Sequence, residues 1–325
     1  MRVINEIFSV DSAAQMQLTR EMGIQAIGVS FPGEDASEAG VRRILKEAED
    51  FGLSVVEGGA PALQKCPSII WGKEDRDRWI DAYNEFTRIL GNAGIPVNYV
   101  AWQPNGMLRS GVGPGKLSHG SHTFLCDLDE MKARGPLTAE QAGEDKMWDN
   151  FKYFLDRTLP VCEKEQVRMA LHPNDPPLPE VCGIPSLVWN TECFRKAFAL
   201  AGNSPWLGMK LCTGCWLENP EFGNLMEDIR EFSEADKIIT VHFRNVSSPL
   251  PVFEETLVED GYADMISVME QLVRCQCRAN ISIDHAFFRP GEKRMSETSR
   301  AYMTGYLKGM LHTIRAQAEG AANPD

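Results

Sequence analysis

Eight short runs rich in β-branched and apolar residues, each separated from the next by an amphipathic stretch, constrain this 325-residue chain more than any other feature. The runs are Val3–Phe8, Ala26–Ser30, Ser54–Glu57, Pro96–Ala101, Arg168–His172, Leu207–Cys212, Ile238–His242 and Asn280–Asp284. Between them lie segments with apolar residues at helical spacing: Asp11–Met22, Ala39–Phe51, Lys73–Ala93, Ala139–Leu159, Thr191–Ala201, Asn219–Phe232, Tyr262–Arg274 and Ser296–Ala316. Short buried strands alternating with helices make a parallel sheet. Eight such units with no edge signal favour closure into a (β/α)8 TIM barrel, with a doubly wound open sheet as the alternative. Asp11 and Ser12 suit a helix start, and Gly23, Gly52, Gly94 and Gly202 follow helix ends, where glycine suits a left-handed cap.

A chain that is 43% hydrophobic can bury a large core, and barrels of this length form one domain, so residues 1–325 read as a single unit without a linker. Two connections stand out. Residues 103–137 form a long Gly- and Ser-rich loop carrying Arg109, His119, His122 and Asp127, expected to be either a lid or an oligomer contact. The second, Pro173–Trp189, is stiffened by five prolines. The net charge of -13 repels phosphate backbones and anionic lipid, which argues against nucleic-acid or membrane partners while allowing a small anion in a local cationic pocket. No export signal or bilayer-length apolar run is evident, and nine irregularly spaced cysteines fit reduced thiols in the cytoplasm.

In a barrel of this kind the chemistry sits where the strands end. Strand five ends in His172, strand six in Cys212, strand seven in His242 and strand eight in Asp284. Singly each has a bland reading, as a satisfied polar residue, a small buried hydrophobe or a helix cap. Jointly they place two imidazoles, a thiolate and a carboxylate at equal height on four consecutive strands, and three of the six histidines fall at these ends. That donor set suits one divalent ion, with zinc, iron, cobalt, nickel and manganese all open. Arg244, two residues past His242, can hold a carboxylate in a bidentate fork, or pair on the surface. His285 is placed to move a proton. Glu57 either enters the pocket or is a buried structural group. Cys212-Thr213-Gly214-Cys215 is a C-x-x-C, but it lies far from the start of a domain and has no second pair at zinc spacing, so a redox or structural-zinc role is the weaker reading.

Several segments resemble the mannonate dehydratase family: Leu171-His172-Pro173-Asn174-Asp175-Pro176-Pro177, Cys212-Thr213-Gly214, His242-Phe243-Arg244-Asn245-Val246, Asp284-His285 and Gly305-Tyr306-Leu307-Lys308-Gly309. The likeness extends to Trp71-Gly72-Lys73 and to Leu108-Arg109-Ser110. The resemblance implies a xylose-isomerase-like barrel and a manganese-type ion on His172, Cys212, His242 and Asp284. It implies removal of water from a hexonate, D-mannonate foremost, to give a 2-keto-3-deoxy sugar acid. It also implies His285 and Tyr302 as the proton-transfer groups, with Arg244, Asn174, Asn245 and Arg109 on the substrate, and a homo-oligomer is expected. Two departures stand out. The family's Arg-Pro-Asp-His-Gly reads Ser282-Ile283-Asp284-His285-Ala286 here, and the family tyrosine falls on Ala301, one position before Tyr302. Two other classes stay open: a metal-dependent sugar isomerase or epimerase on the same barrel, and a binding protein that has lost its acid/base pair.

Overall fold

A computed structural model describes residues 1–104, 107–137 and 142–322. It contains a parallel barrel whose strands run in chain order around the ring: Asn5–Phe8, Ala26–Ser30, Ser54–Gly59, Val97–Ala101, Arg168–His172, Leu207–Cys212, Ile238–His242 and Asn280–Ser282. Closure comes from the first stave, which is divided. Arg2–Val3 pairs with the last stave in parallel register (Arg2 opposite Asn280, Val3 opposite Ile281), whereas Asn5–Phe8 pairs with Ala26–Ser30. Ile4 lies between the two segments; its N–H donates to the Ile281 carbonyl at 2.9 Å, and its side chain is fully buried with Ala26 and Val56. The eighth stave is shorter than its apolar run, so Asp284 lies just beyond it.

Side chains alternate faces along each strand. Outward residues such as Ile27, Val29, Met169, Leu171, Met209 and Ile281 pack under the helices in two large apolar clusters. Inward residues form a vertical series. Small apolar clusters, Ile4 with Ala26 and Val56 and Val97 with Ala170 and Ile239, fill the bottom. Polar groups lie above them, and the strand-end ligands stand on top. Thus Ala170 is followed by His172, Gly208 by Lys210 and Cys212, and Asn280 by Ser282 and Asp284.

The helices fall near their expected places. The one expected from Ala139 begins at Glu144, with Gly143 in extended conformation at its N-cap, and runs to Glu165; residues 138–141 lie outside the described residues. The helix expected over Asn219–Phe232 starts later, as Leu225–Glu234, and a short helix, Thr213–Glu218, precedes the expected stretch. Gly23 and Gly94 take the left-handed φ values, 66° and 71°, that a helix end requires. Asp11 precedes the first helix but makes no side-chain cap bond. All nine cysteines are free thiols. No helix among the described residues is long and apolar enough to cross a membrane.

The long loop is a built element. Gly111–Pro114 and His122–Asp127 form an antiparallel hairpin, and Val252–Glu254, from the connection after stave seven, adds a third strand. Trp102, at the loop's root, packs edge-on against Phe151 with centroids 4.9 Å apart, which fixes where the loop leaves the barrel. The hairpin stands over the C-terminal mouth, and Phe124 stacks on His285 at 4.8 Å.

If Ile4 locks the divided stave, Ile4→Ala leaves a cavity at the seam. The expected cost is about 2–5 kcal/mol, read as a lower urea midpoint with little change in the slope of the transition.

Candidate active site

Three of the four expected ligands converge. Ligand atoms of His172, Cys212 and His242 lie within 4.8 Å of one another, with Cys212 and His242 buried and His172 half-buried. Asp284 borders the group: its Oδ1 is 3.1 Å from His242 Nδ1, and its Oδ2 is 3.7 Å from Cys212 Sγ. Both imidazoles are oriented by their other nitrogen. His172 Nδ1 donates to the Pro173 carbonyl at 2.7 Å, which frees Nε2. His242 Nε2 donates to Glu6 Oε1 at 2.8 Å. That leaves His242 Nδ1 buried, with no hydrogen bond of sound geometry although the Asp284 oxygen is close. A nitrogen lone pair facing a carboxylate oxygen calls for a cation between them, and a carboxylate orienting the far nitrogen is a usual companion of a metal-bound histidine. Although burial opposes ionisation of Cys212, the Cys215 thiol and the Arg244 guanidinium hold its thiol well below the ordinary thiol range. The donor set therefore fits a divalent ion of borderline softness.

Glu6 comes from the middle of the first stave and also receives Lys210 Nζ at 2.9 Å and Ser282 Oγ at 3.0 Å. Below it, Glu57 is fully buried and bonded to the Tyr99 hydroxyl and, at 2.7 Å, to Asn280 Nδ2. Burial raises its carboxyl above the usual range. Glu57 does not line the cavity, so of its two readings the buried structural one applies. The cavity above these groups is about 300 Å³ and is lined by residues including His172, His242, Asp284, His285, Lys65 and Arg300. A six-carbon sugar acid fits such a volume.

Beneath the hairpin, two arginines expected on the substrate are engaged elsewhere. Arg244 is 1% exposed, and its guanidinium contacts Glu218 Oε1 at 2.6 Å, Glu255 Oε1 at 3.2 Å, Asp175 Oδ2 at 3.3 Å and Asp284 Oδ2 at 3.1 Å. Arg109 holds Asp175 through both oxygens and reaches Glu218 at 2.9 Å and Glu255 at 2.8 Å. Burial, reinforced by Asp175, pushes the Glu218 carboxyl well above the carboxylate range, so two guanidinium charges face the anions of Asp175 and Glu255. Gly214 makes room for this packing, since a Cβ there would lie 2.3 Å from the Arg244 guanidinium carbon. The C-x-x-C thus has a steric reason for its glycine, and Cys215 bonds to Cys212 as a thiol. Asn174 and Asn245 are also structural: Asn174 bonds to the Trp102 carbonyl and the Val188 N–H, and Asn245 to the carbonyls of Val258 and Ala263. None of Arg109, Arg244, Asn174 and Asn245 is among the residues that line this cavity.

His285 does line the cavity, and its Nδ1 is bonded to Glu255 Oε2 at 2.7 Å. Tyr302 does not. It sits 52% exposed on the outer face of the Glu297–Ala322 helix, with its hydroxyl on Glu259. The one-position offset from Ala301 turns it out of the barrel, because each helical step rotates a side chain by about 100°. Arg300, two residues earlier, points inward instead: Nη1 donates to the Glu6 carbonyl at 3.0 Å, and Nε and Nη2 donate no hydrogen bond among the described residues. Sequence reasoning passed over Glu6, Lys210, Lys65 and Arg300. For Glu6 and Lys210 a signal existed, since each is a charge at an inward position of an otherwise apolar strand. Lys65 and Arg300 carry no such periodic mark.

A model of the D-mannonate dehydratase (UxuA) family matches residues 127–320. Mannonate dehydratase of Thermotoga petrophila is 31% identical, over 89% of this chain and 88% of its own. The crystal structure of mannonate dehydratase from Streptococcus suis serotype 2 superposes with a TM-score of 0.87 at 22% identity, covering 98% of this chain and 96% of that one. A xylose isomerase domain protein from Planctomyces limnophilus superposes at 0.63 with 10% identity, over 97% and 98%, so the barrel is of the xylose-isomerase-like kind.

Two substitutions separate the buried cluster from the surface tyrosine. Arg244→Met strands the carboxyls it faces and is expected to cost about 3–5 kcal/mol in chemical denaturation. Tyr302→Phe is expected to leave turnover within about two-fold of the parent and to shift stability by less than about 1 kcal/mol.

Proposed function

The chain belongs to the mannonate dehydratase family and is a sugar-acid hydro-lyase, and we propose that it converts D-mannonate to 2-keto-3-deoxy-D-gluconate with one divalent ion, manganese foremost, held by His172, Cys212, His242 and Asp284. The observation that carries the metal reading is the buried, unpartnered His242 Nδ1 beside Asp284, with Cys212 and His172 converging on the same point. When bound, a divalent ion supplies Lewis-acid stabilisation of the negative charge that builds on the acid's oxygens as the C2 proton leaves.

The chain's own groups do the rest. Arg300 is the arginine that lines the cavity with Nε and Nη2 uncommitted among the described residues, so it takes the carboxylate-binding place that the sequence reading gave to Arg244. His285, steered by Glu255, faces the leaving hydroxyl and donates the proton that turns it into water. The Phe124 ring covers His285 from the hairpin side and limits access of bulk water. Nine free thiols support a reducing, cytoplasmic setting.

Purified protein loaded with Mn²⁺ is expected to yield 2-keto-3-deoxygluconate from D-mannonate. Dialysis against a chelator is expected to abolish turnover and added Mn²⁺ to restore it, while Cys212→Ala and His242→Ala lower the metal content measured by mass spectrometry. An epimer formed with no loss of water would make the chain an isomerase; no product with manganese, iron, cobalt, nickel or zinc would end the dehydratase reading.

A further inference from the structure

The elimination needs two proton-transfer groups, and with Tyr302 on the outer surface the cavity must supply the second. Its titratable side chains can be taken in turn. Glu6 is bound to Lys210, His242 and Ser282. Lys210 is thereby paired, and its ammonium also lies over the Tyr99 ring at 4.0 Å. The Tyr99 hydroxyl is bonded to Glu57. Asp175 is held by Arg109 and Arg244. His172, His242 and Asp284 form the ligand group, and His285 is the first proton-transfer group. Arg300 does not titrate in this range.

Lys65 is left. It follows the Pro61–Gln64 turn at the end of the third stave, lines the cavity, is half-buried, and makes no hydrogen bond or ion pair among the described residues. An amine inside a pocket without a partner is costly unless a ligand uses it. We propose that Lys65 is the second proton-transfer group of the dehydration, the base that removes the C2 proton.

The step balances. The Lys65 amine takes the C2 proton, the C2–H electron pair becomes the C2=C3 bond, and the C3–O bond breaks as His285 protonates the departing hydroxyl to give water. The enol then collapses: the Lys65 ammonium protonates C3, and the C2 hydroxyl proton returns to His285, so both groups regain their starting forms. The environment suits an amine free enough to act. Burial lowers its proton affinity below that of an ordinary lysine, with Lys210 acting in the same direction and Asp175 and Asp284 opposing. Glu6, Tyr99, His172, His242, His285 and Arg300 are the other charged or titratable groups around the same cavity.

This inference rests on the dehydratase reading, and the experiment keeps the two apart. With D-mannonate and Mn²⁺, Lys65→Met and Lys65→Arg are both expected to lose about 100- to 10,000-fold in kcat with KM changed only a few-fold, because arginine keeps the charge but cannot act as base. In Lys65→Ala, added methylamine is expected to restore turnover in proportion to its concentration. Lys65→Arg retaining most of the activity would overturn the proposal. A second measurement needs no turnover: competitive labelling of the whole protein with acetic anhydride, read by mass spectrometry across pH. Lys65 is expected to titrate below an ordinary exposed lysine and to be protected by D-mannonate or D-gluconate. A wild-type protein inactive on mannonate whose Lys65 still titrates low and is protected by a hexonate would sink the substrate and keep the lysine. An ordinary, unprotected Lys65 would sink the lysine whatever the substrate.

Discussion

Two guanidinium groups, Arg109 and Arg244, are buried among Asp175, Glu218 and Glu255, and through them six segments far apart in the chain are held in one place. Arg109 comes from the hairpin loop, Asp175 from the connection after stave five, Glu218 from the end of the short helix after stave six, and Glu255 from just past the strand that completes the hairpin sheet. Arg244 follows stave seven and reaches Asp284 after stave eight. Ion pairs of this kind contribute little net stability over apolar packing, because desolvation consumes most of the Coulombic gain. Their value is in position. A carboxylate flanked by two arginines has few alternative arrangements, so the loops that carry Glu255 and Asp284 cannot drift. His285 is bonded to the first and adjacent in sequence to the second.

The same cluster explains why Arg244 is committed to carboxylates of the chain itself while Arg300 lines the cavity. Arg244 is at the depth of the ligands but points sideways into the cluster, held there by the missing Cβ of Gly214 and by the Thr213 hydroxyl, which accepts from the Arg244 N–H at 2.8 Å. Arg300 descends from the last helix with only Nη1 tied to the first stave. The two arginines thus differ in how many acceptors the fold gives them.

Much of this was legible in the sequence, and what was not follows a pattern. The apolar runs gave the staves because burial on both faces leaves a continuous signal, and strands such as Arg168–His172 and Ile238–His242 fall on their expected bounds. Strand ends then gave the convergence of His172, Cys212 and His242, since period-two alternation fixes which face they occupy. The divided first stave was hidden because Val3–Phe8 looks uniform; only ring closure requires one segment to pair in two directions. Lys65 and Arg300 were hidden because they reach the cavity from a turn and from a helix, where no strand periodicity aims a side chain. Tyr302 was misplaced by likeness of neighbouring residues, which carries no information about a single helical step.

The divided stave also has a consequence in time. Arg2 and Val3 find their partners at Asn280 and Ile281, almost the whole chain away. A chain emerging from the ribosome can lay down seven staves and their helices and still hold an open sheet, with two strand edges unpaired and Asp284 not yet beside His242. Closure waits for the last stave, so the growing chain spends most of its synthesis with exposed edges that favour pairing with other chains. Late, non-local contacts of this kind slow folding. The burden of avoiding aggregation therefore falls on the interval before residue 281 is free, and the acidic net charge of -13, which disfavours non-specific association, serves the nascent chain as well as the finished one.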